Sequence, residues 1–222
     1  MSDDFMKEKG ASDFLAYYIH QPIENWLVKK LRNTWVTPNQ VTVATNILAY
    51  IVTALYLSGN LLLGSLLSFV VGVADGIDGK LARAKKMTSN LGKLEHAFDL
   101  LYEFSWIAAL SYSVYITTGD PASLILGTAS ITLISFYRYC YDTFGKTFGS
   151  SFDTYSSFER SFRRVAGRRN MYNITILVSI ILGAPLVGLY VVAAHALLTA
   201  IVYAVRVGQH LHALDTGTAG TS

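Results

Sequence analysis

Charged residues are scarce in this sequence. Lys, Arg, Asp and Glu make up 15% of its 222 residues, whereas a soluble domain usually carries about 25%. Hydrophobic residues reach 52% and the mean hydropathy is +0.37. These values exclude a soluble enzyme, a disordered chain and a nucleic-acid-binding protein with a dominant basic surface. The single cysteine, Cys140, excludes an intrachain disulfide framework and a cysteine-ligated zinc site.

The sequence contains several long apolar segments. A membrane-spanning helix needs about 20 mostly apolar residues. Candidate segments cover approximately residues 40–58, 61–83, 91–117, 121–141, 171–182 and 186–210. The first follows Thr37-Pro38-Asn39, a sequence that can cap and start a helix. The sequence therefore predicts an all-α, polytopic membrane protein with six transmembrane helices.

The positive charges predict the orientation of these helices. All 18 Lys and Arg residues lie in the N-terminal part, in 80–93, in 138–169 or at the C-terminal end. The turns near Gly59, Gly119 and Gly183 contain none. Because cytoplasmic loops carry the excess of positive charge, we expect a multi-pass protein of the cell membrane with both termini in the cytoplasm.

The N-terminal part has a different pattern from the spans. Residues 11–33 combine aromatic and leucine residues at helical spacing with Lys29, Lys30 and Arg32. This pattern predicts a helix lying on the cytoplasmic leaflet, kinked or divided at Pro22. The predicted organisation is an N-terminal interfacial region (1–35), a six-helix transmembrane domain (36–212) and a C-terminal tail (213–222).

Carboxylates cluster where the second and third predicted spans meet. Asp75 and Asp78 are three residues apart, and Glu95, Asp99 and Glu103 follow one another at intervals of four, so each set shares a helix face. Two antiparallel helices with a short connection can bring both sets together. Such a cluster needs a cation, and oxygen-only ligands favour hard ions such as Mg²⁺ or Mn²⁺. Two ions would suit a phosphoryl transfer.

The residues between and after the first two aspartates predict a phosphate-containing ligand. Gly76 and Gly79 leave the backbone open to a bulky group, and Ala82 keeps the next turn small. Arg83 and Lys80 are expected to contact phosphate. The pattern favours a nucleotide diphosphate or a similar phosphate ester as the substrate.

This segment resembles the signature of the CDP-alcohol phosphotransferases, D-x2-D-G-x2-A-R-x8-G-x3-D-x3-D. The matching positions are Asp75, Asp78, Gly79, Ala82, Arg83 and Gly92. The stretch TPNQVT, Thr37 to Thr42, is also similar to the usual opening of the family. With the predicted spans, the resemblance extends over essentially the whole chain.

The resemblance implies an enzyme of phospholipid biosynthesis that displaces CMP from a CDP-linked lipid by an alcohol. The donor would be CDP-diacylglycerol or an archaeal ether analogue. By the same resemblance, Asp75 and Asp78 bind metal, and a carboxylate near the acceptor hydroxyl acts as the general base. The residues implied to contact the CDP-linked substrate are Pro38, Asn39, Gln40, Val41, Gly79, Ala82, Arg83 and Ser89.

The second half of the signature departs from the family pattern. The third and fourth acidic positions fall on His96 and Leu100. Our preferred interpretation is a one-residue deletion, with Glu95 as a metal ligand and Asp99 as the base that also binds metal. Alternatively, Asp99 and Glu103 take these roles, or His96 itself serves as base or ligand.

Arginines are concentrated between the fourth and fifth predicted spans. They could form an acceptor pocket for a phosphorylated alcohol, with Arg138 as the first candidate and Arg168 and Arg169 next. For the group as a whole we prefer the explanation that they mark the cytoplasmic side and attract anionic lipid.

Two other functions remain compatible with the sequence. One is a catalytically inactive membrane scaffold of the same fold. The other is a divalent-cation transporter, which lacks the polar path that it would need across the outer halves of the spans. The expected partners are the lipid donor, a small alcohol acceptor and membrane lipids, without nucleic acid. Small residues in the last two spans allow close helix packing, including across a homodimer.

Overall fold

The computed structural model describes residues 16–87 and 94–217, and within them every regular element is helical. The side chains of Ala16, Tyr17 and Glu95 are not part of this description. A π-helical turn, Ala16–His20, leads into the first α-helix. The α-helices are α1 (Gln21–Leu31), α2 (Pro38–Leu57), α3 (Leu61–Lys85), α4 (Glu95–Thr118), α5 (Ala122–Phe148), α6 (Phe152–Tyr155), α7 (Ser157–Phe162), α8 (Arg169–Ile181) and α9 (Pro185–Asp215).

Three of these helices, α2, α3 and α9, are long and apolar enough to cross a membrane. Their outward faces carry large apolar side chains: Ile47 and Ile51 on α2 and Leu198 and Ile201 on α9 are exposed. Lipid tails can cover such surfaces, whereas water cannot do so favourably. The chain is therefore a membrane protein, and the assignment of six spans stays a prediction.

Helix α2 starts where the sequence indicates. Thr37 is its N-cap, and Pro38 occupies the first turn. The Gln40 backbone N–H donates to the Thr37 hydroxyl at 3.3 Å, and the Thr37 N–H donates to the Gln40 side-chain oxygen at 2.8 Å. This capping box satisfies backbone donors that the first helical turn leaves unpaired.

The hydrophobic core lies between the long helices. Helix α2 packs against α3 and α4, α5 packs against α4 and α9, and α8 packs against α3 and α9. Tyr56, Trp106, Tyr137, Tyr172 and Tyr203 come from different helices and are buried together. Because α3, α4, α5 and α8 surround the same interior, polar residues on these helices can meet at one place.

Helix α1 packs against α3 at the Asp-rich segment. Glu24 is fully buried, and its Oε2 lies 3.0 Å from the Lys80 Nζ, which also donates to Asn25 Oδ1 at 2.6 Å. The expectation that Lys80 contacts phosphate is therefore wrong in this structure, because its ammonium group is buried against α1. The space at Gly76 is also taken by the chain itself: a Cβ atom there would lie 2.2 Å from Glu24 Oε1.

Pro22 lies in the first turn of α1, directly after the π-helical turn, so the type of helix changes close to the residue where the sequence predicts a kink or a division. Residues 11–15 of that segment lie outside the described part of the chain. Helix α5 continues to Phe148, past the predicted end of the fourth span, and α9 continues to Asp215. The two short helices α6 and α7 follow α5.

A polar cluster joins α7 to the end of α9. Glu159 is buried, and its Oε1 accepts from Arg206 Nε at 2.6 Å and lies 3.1 Å from His210 Nε2. The Ser156 hydroxyl donates to Glu159 Oε2. We call these four residues the Glu159 cluster. Burial alone raises the pKa of Glu159, but the hydrogen bonds from Arg206, Ser156 and His210 outweigh burial and lower this pKa to about 2.

Candidate active site

Asp75 and Asp78 project from α3 toward the interior between α2, α4 and α8. Asp78 is buried, with 3% of its surface exposed. Its Oδ2 accepts a hydrogen bond from the Thr42 hydroxyl on α2 at 2.6 Å, and its Oδ1 accepts from the Gly79 N–H at 2.6 Å. Both carboxylate oxygens are thus held in fixed directions by donors that bear no charge.

Asp99 brings a third carboxyl group to the same place from α4. Its carboxyl group is close enough to that of Asp75 for the two to interact. Asp75 and Asp99 are both close enough to Asp78 to repel its charge. On the outer side, Asp99 Oδ2 lies 3.8 Å from Nδ1 of His96, which is exposed. We call Asp75, Asp78 and Asp99 the carboxylate site.

An arginine from α8 contacts this site. The Arg169 NH2 group donates to Asp75 Oδ2 at 2.7 Å, and its NH1 group donates to the Tyr102 hydroxyl. That hydroxyl lies 3.4 Å from Asp75 Oδ1. Arg169 therefore holds Asp75 directly and also through Tyr102.

A second ion pair lies one helical turn deeper along α4. Glu103 is buried, and its Oε2 accepts from the Arg138 NH2 group on α5 at 2.5 Å. Glu103 therefore faces α5, whereas Asp99 faces the α3 aspartates. Of the two carboxylates on α4 whose side chains are described here, Asp99 is the one that joins the carboxylate site.

Gly79 leaves one side of the site open. A Cβ atom at Gly79 would have the Arg83 NH1 atom as its nearest neighbour, at 3.7 Å. Arg83 is exposed, and Ala82 between them is half-buried. The expected opening exists at Gly79 and is missing at Gly76, where Glu24 fills the space.

The four predicted substrate contacts at the start of α2 differ from one another in exposure and in the residues that they touch. Asn39 is exposed and Pro38 is buried. The Gln40 side chain takes part in the capping box. Val41 packs against the small apolar cluster formed by Val28, Ile77 and Leu81. Ser89 and the side chain of Glu95 lie outside the described part of the structure, so their predicted roles stay predictions.

Three contributors to the site were not among the residues singled out as its members. Thr42 orients Asp78, while Tyr102 and Arg169 orient Asp75. Thr42 lies inside the family-like TPNQVT stretch, and Tyr102 lies three residues after Asp99 on the same helix face. Arg169 was a secondary candidate for the acceptor pocket, and no sequence signal connects it to Asp75.

The donor chemistry of the carboxylate site fits a hard divalent cation. Three carboxyl groups that repel one another supply oxygen atoms only. Within 16–87 and 94–217, no group of three or more His, Cys, Asp or Glu side chains has the arrangement of a formed metal site. Asp75 is instead paired with Arg169. The carboxylate site thus offers oxygen atoms of the kind that a hard cation binds, but these atoms are not arranged around one point as in a formed metal site.

A family model for CDP-alcohol phosphatidyltransferases matches residues 35–201, which include α2 to α8 and the first half of α9. The chain belongs to the CDP-alcohol phosphatidyltransferase family. The resemblance inferred from Asp75 to Gly92 is thus confirmed.

Individual members of the family show how far the similarity extends. A bifunctional IPC transferase and DIPP synthase of Thermococcus kodakarensis is 32% identical over 166 residues, which is 73% of this chain and 36% of the relative. The chain thus spans about a third of the length of that curated relative.

Solved structures show the same fold. Phosphatidylinositol phosphate synthase (PgsA1) of Mycobacterium tuberculosis with CDP-DAG bound has a TM-score of 0.65 and 18% identity, covering 85% of this chain and 93% of that one. The same enzyme in complex with manganese and citrate has a TM-score of 0.63 and 18% identity, covering 85% and 88%.

Proposed function

We propose that this protein transfers a phosphatidyl-type group from a CDP-linked lipid to an alcohol acceptor, releasing CMP, in phospholipid biosynthesis. Membership of the CDP-alcohol phosphatidyltransferase family supports the reaction class. The meeting of Asp75, Asp78 and Asp99 between α3 and α4 carries the proposal. These carboxyl groups repel one another even with Arg169 paired to Asp75, and a bound cation would offset the remaining negative charge. CDP-diacylglycerol or an archaeal ether analogue is the proposed donor, in line with the CDP-DAG bound to the mycobacterial relative.

The acceptor hydroxyl oxygen attacks the lipid-side phosphorus of the donor, and the bond from that phosphorus to the bridging oxygen breaks. CMP leaves with the bridging oxygen and its electron pair. The hydroxyl proton passes to an oxygen of Asp99, which is only partly exposed and adjoins both Asp75 and exposed His96. His96 is well placed to carry the proton onward to water.

Asp75, Asp78, Asp99 and Glu95 are the proposed ligands of Mg²⁺ or Mn²⁺, with two ions as our expectation. A mycobacterial relative in complex with manganese supports a divalent metal. When bound, such ions neutralise the diphosphate and the charge that develops on the departing CMP. The position of Asp99 beside Asp75, with Glu103 turned to Arg138, favours the interpretation that pairs Glu95 with Asp99.

The donor is proposed to bind along the open side of α3 and the start of α2. Gly79 admits the diphosphate close to the backbone, and the exposed guanidinium of Arg83 pairs with it. The remaining proposed donor contacts are Ala82, Ser89 and Pro38, Asn39, Gln40 and Val41. Arg138, anchored by Glu103 at 2.5 Å, is the proposed acceptor contact.

The site is proposed to open to the cytoplasm. Segments 80–93 and 138–169, which include the ends of the adjoining helices, carry most of the Lys and Arg residues. Six spans, formed by α2, α3, α4, α5, α8 and α9, would place both termini on that side.

CMP release by the purified protein in detergent tests the function. The reaction contains CDP-diacylglycerol, Mg²⁺ or Mn²⁺, and one acceptor from a panel: glycerol 3-phosphate, inositol phosphate, inositol, serine, ethanolamine or choline. We expect release with one acceptor, its abolition by EDTA, and no release by Asp75→Asn.

Asp120→Asn is the matched control. Asp120 lies in the turn before α5, where its Oδ1 accepts from the Ala122 N–H at 2.9 Å, a role that asparagine keeps. This variant should release CMP at the wild-type rate. Full activity of Asp75→Asn would contradict the proposed site, while silence of a folded wild-type protein across donors and acceptors would favour the inactive scaffold.

A further inference from the structure

Three buried polar atoms beneath the carboxylate site have no hydrogen-bond partner among the described residues. They are Glu103 Oε1 on α4, and Arg169 Nε and Asn173 Nδ2 on α8. Buried polar groups in folded proteins nearly always have partners, in the protein or in ordered water. A set of three in one place therefore requires an explanation.

All three residues line one internal cavity. The other residues around it are Tyr56, Trp106, Ile107, Tyr172 and Ile176, which are all buried. The space open to the centre of a water molecule is about 10 Å³, which is at the lower limit for a single water. The cavity is too small for any part of a lipid or nucleotide.

The hydrogen-bonding capacity of the three atoms indicates what the cavity can bind. Arg169 Nε and Asn173 Nδ2 are donors only, and Glu103 Oε1 belongs to a carboxylate and accepts. A metal cation would face two N–H groups, and an anion would face the carboxylate. A water molecule can accept twice and donate once, which matches the set.

We propose that this cavity binds one ordered water molecule, and that the water makes Asn173 and Glu103 positioning residues for the pair formed by Arg169 and Asp75. The water accepts from Arg169 Nε and Asn173 Nδ2 and donates to Glu103 Oε1. It thereby joins two ion pairs: Arg169 with Asp75 at 2.7 Å, and Arg138 with Glu103 at 2.5 Å.

The water completes the set of contacts that orient the Arg169 guanidinium. NH2 donates to Asp75, NH1 donates to the Tyr102 hydroxyl, and Nε donates to the water. All three nitrogens are then engaged, so the guanidinium has one orientation. The importance of this orientation for turnover rests on the proposed function, whereas the water site itself does not.

Two substitutions at Asn173 distinguish a role in holding the water from a role in packing alone. Asn173→Leu keeps the branched shape, with the same number of side-chain heavy atoms, and removes the donor. Asn173→Ser leaves more space but supplies a hydroxyl group that can donate, and the enlarged cavity can hold water that restores the bridge. A packing role predicts that leucine is tolerated better than serine, and the water bridge predicts the opposite order.

The readouts are Mn²⁺ affinity of the purified protein, measured by electron paramagnetic resonance, and kcat and KM for CMP release. We expect Asn173→Leu to weaken Mn²⁺ binding and lower kcat by about tenfold each, the range for residues that orient metal ligands. KM for the donor lipid should not change. Asn173→Ser should stay within about threefold of wild type.

Ser179→Ala is the control on the same helix. Ser179 is also buried, donates to the Ile176 backbone oxygen at 2.8 Å and does not line the cavity. It should match wild type in both readouts. A leucine variant that equals or exceeds the serine variant would overturn the positioning role.

An experimental density map at a resolution that shows water decides the site directly. A peak within hydrogen-bonding distance of Glu103 Oε1, Arg169 Nε and Asn173 Nδ2 supports the proposal, and a map without it overturns the proposal. If the wild-type protein releases no CMP or binds no Mn²⁺, the proposed function fails while the map still decides the water.

Discussion

The carboxylate site and the Glu159 cluster treat acidic side chains in opposite ways. Glu159 is surrounded by donors from Ser156, Arg206 and His210. Asp78 also accepts from Thr42 and Gly79, but both donors are uncharged and two other carboxyl groups are close neighbours. An acid among donors has its charge satisfied within the chain and stabilises the fold, whereas acids among acids are costly until something else binds. The contrast separates a region that stabilises the fold from the proposed functional site.

The largest expected difference is between two variants, one in the carboxylate site and one in the Glu159 cluster, in which an amide replaces a carboxylate. Asp99→Asn should lower the rate of CMP release by about 10²- to 10⁴-fold, the usual contribution of a general base. Its thermal midpoint should stay the same or rise, because one repelling charge is removed. Glu159→Gln should destabilise the protein by about 2 kcal/mol, since hydrogen bonds to a charged group are lost.

Rates per folded molecule and thermal midpoints, measured on the same preparations, check this exchange. Glu159→Gln should keep the wild-type rate per folded molecule. The contrast between the regions fails if Asp99→Asn unfolds the protein or if Glu159→Gln abolishes turnover at an unchanged midpoint.

A pair of glycine substitutions tests the same contrast within one motif, with a smaller effect. In Gly76→Ala the new methyl group would lie 2.2 Å from Glu24 Oε1, so Glu24 must move from Lys80. Overpacking of this kind costs about 1–3 kcal/mol, and the thermal midpoint should fall. In Gly79→Ala the nearest atom is 3.7 Å away, so the midpoint should hold or rise slightly because alanine favours helix.

Gly79→Ala should instead raise KM for the CDP-linked lipid by about tenfold, equivalent to about 1.4 kcal/mol of lost binding. Thermal scans and donor titrations of both variants make the comparison. Equal thermal midpoints for the two variants would contradict the finding that Gly76 is in close contact with Glu24 while the space beside Gly79 is open.

The smallest expected effect is a pH dependence confined to the Glu159 cluster. The pKa of Glu159 is about 2 in the folded protein, whereas the ordinary value of 4.5 applies to the unfolded chain. Its stabilising contribution is therefore fully present above about pH 4.5 and is lost as the pH falls toward 2. The stability difference between wild type and Glu159→Gln, measured by thermal unfolding, should shrink over this interval. A constant difference would show that Glu159 is not held as a carboxylate by its donors.

The central part of the site could be predicted from the sequence because it depends on local helix geometry. The three-residue spacing places Asp75 and Asp78 on one helix face, and the short connection between α3 and α4 lets Asp99 approach them. The TPNQVT stretch likewise predicted the start of α2, since capping is decided by neighbouring residues.

The partners of these residues could not be predicted, because they come from distant parts of the chain. Arg169 is 94 residues from Asp75, and their pairing depends on the packing of α8 against α3. A glycine beside an aspartate indicates either an opening for a ligand or a close approach of another helix. In the structure the space beside Gly79 is open, whereas Gly76 is where α1 approaches with Glu24.

The polar ends of the long helices are also not defined by the predicted spans. Apolarity limits the predicted fourth span at Tyr141, yet α5 continues through Asp142 and Lys146 to Phe148. Backbone hydrogen bonds in a helix do not require apolar side chains, so a helix can continue beyond an apolar segment. The sequence pattern locates the apolar part of the helix and leaves its polar extension undefined.

The buried pair of Glu24 and Lys80 also has a consequence for the order of events during synthesis. Lys80 follows Asn25 by 55 residues, so α1 leaves the ribosome well before α3. Until α3 has been made, Glu24 cannot form its buried contact with the Lys80 ammonium group, and an exposed carboxylate is stabilised by water. The contact between α1 and the Asp-rich helix is thus a late step of assembly, and the second half of α3 must be in place before the first helix can complete its docking.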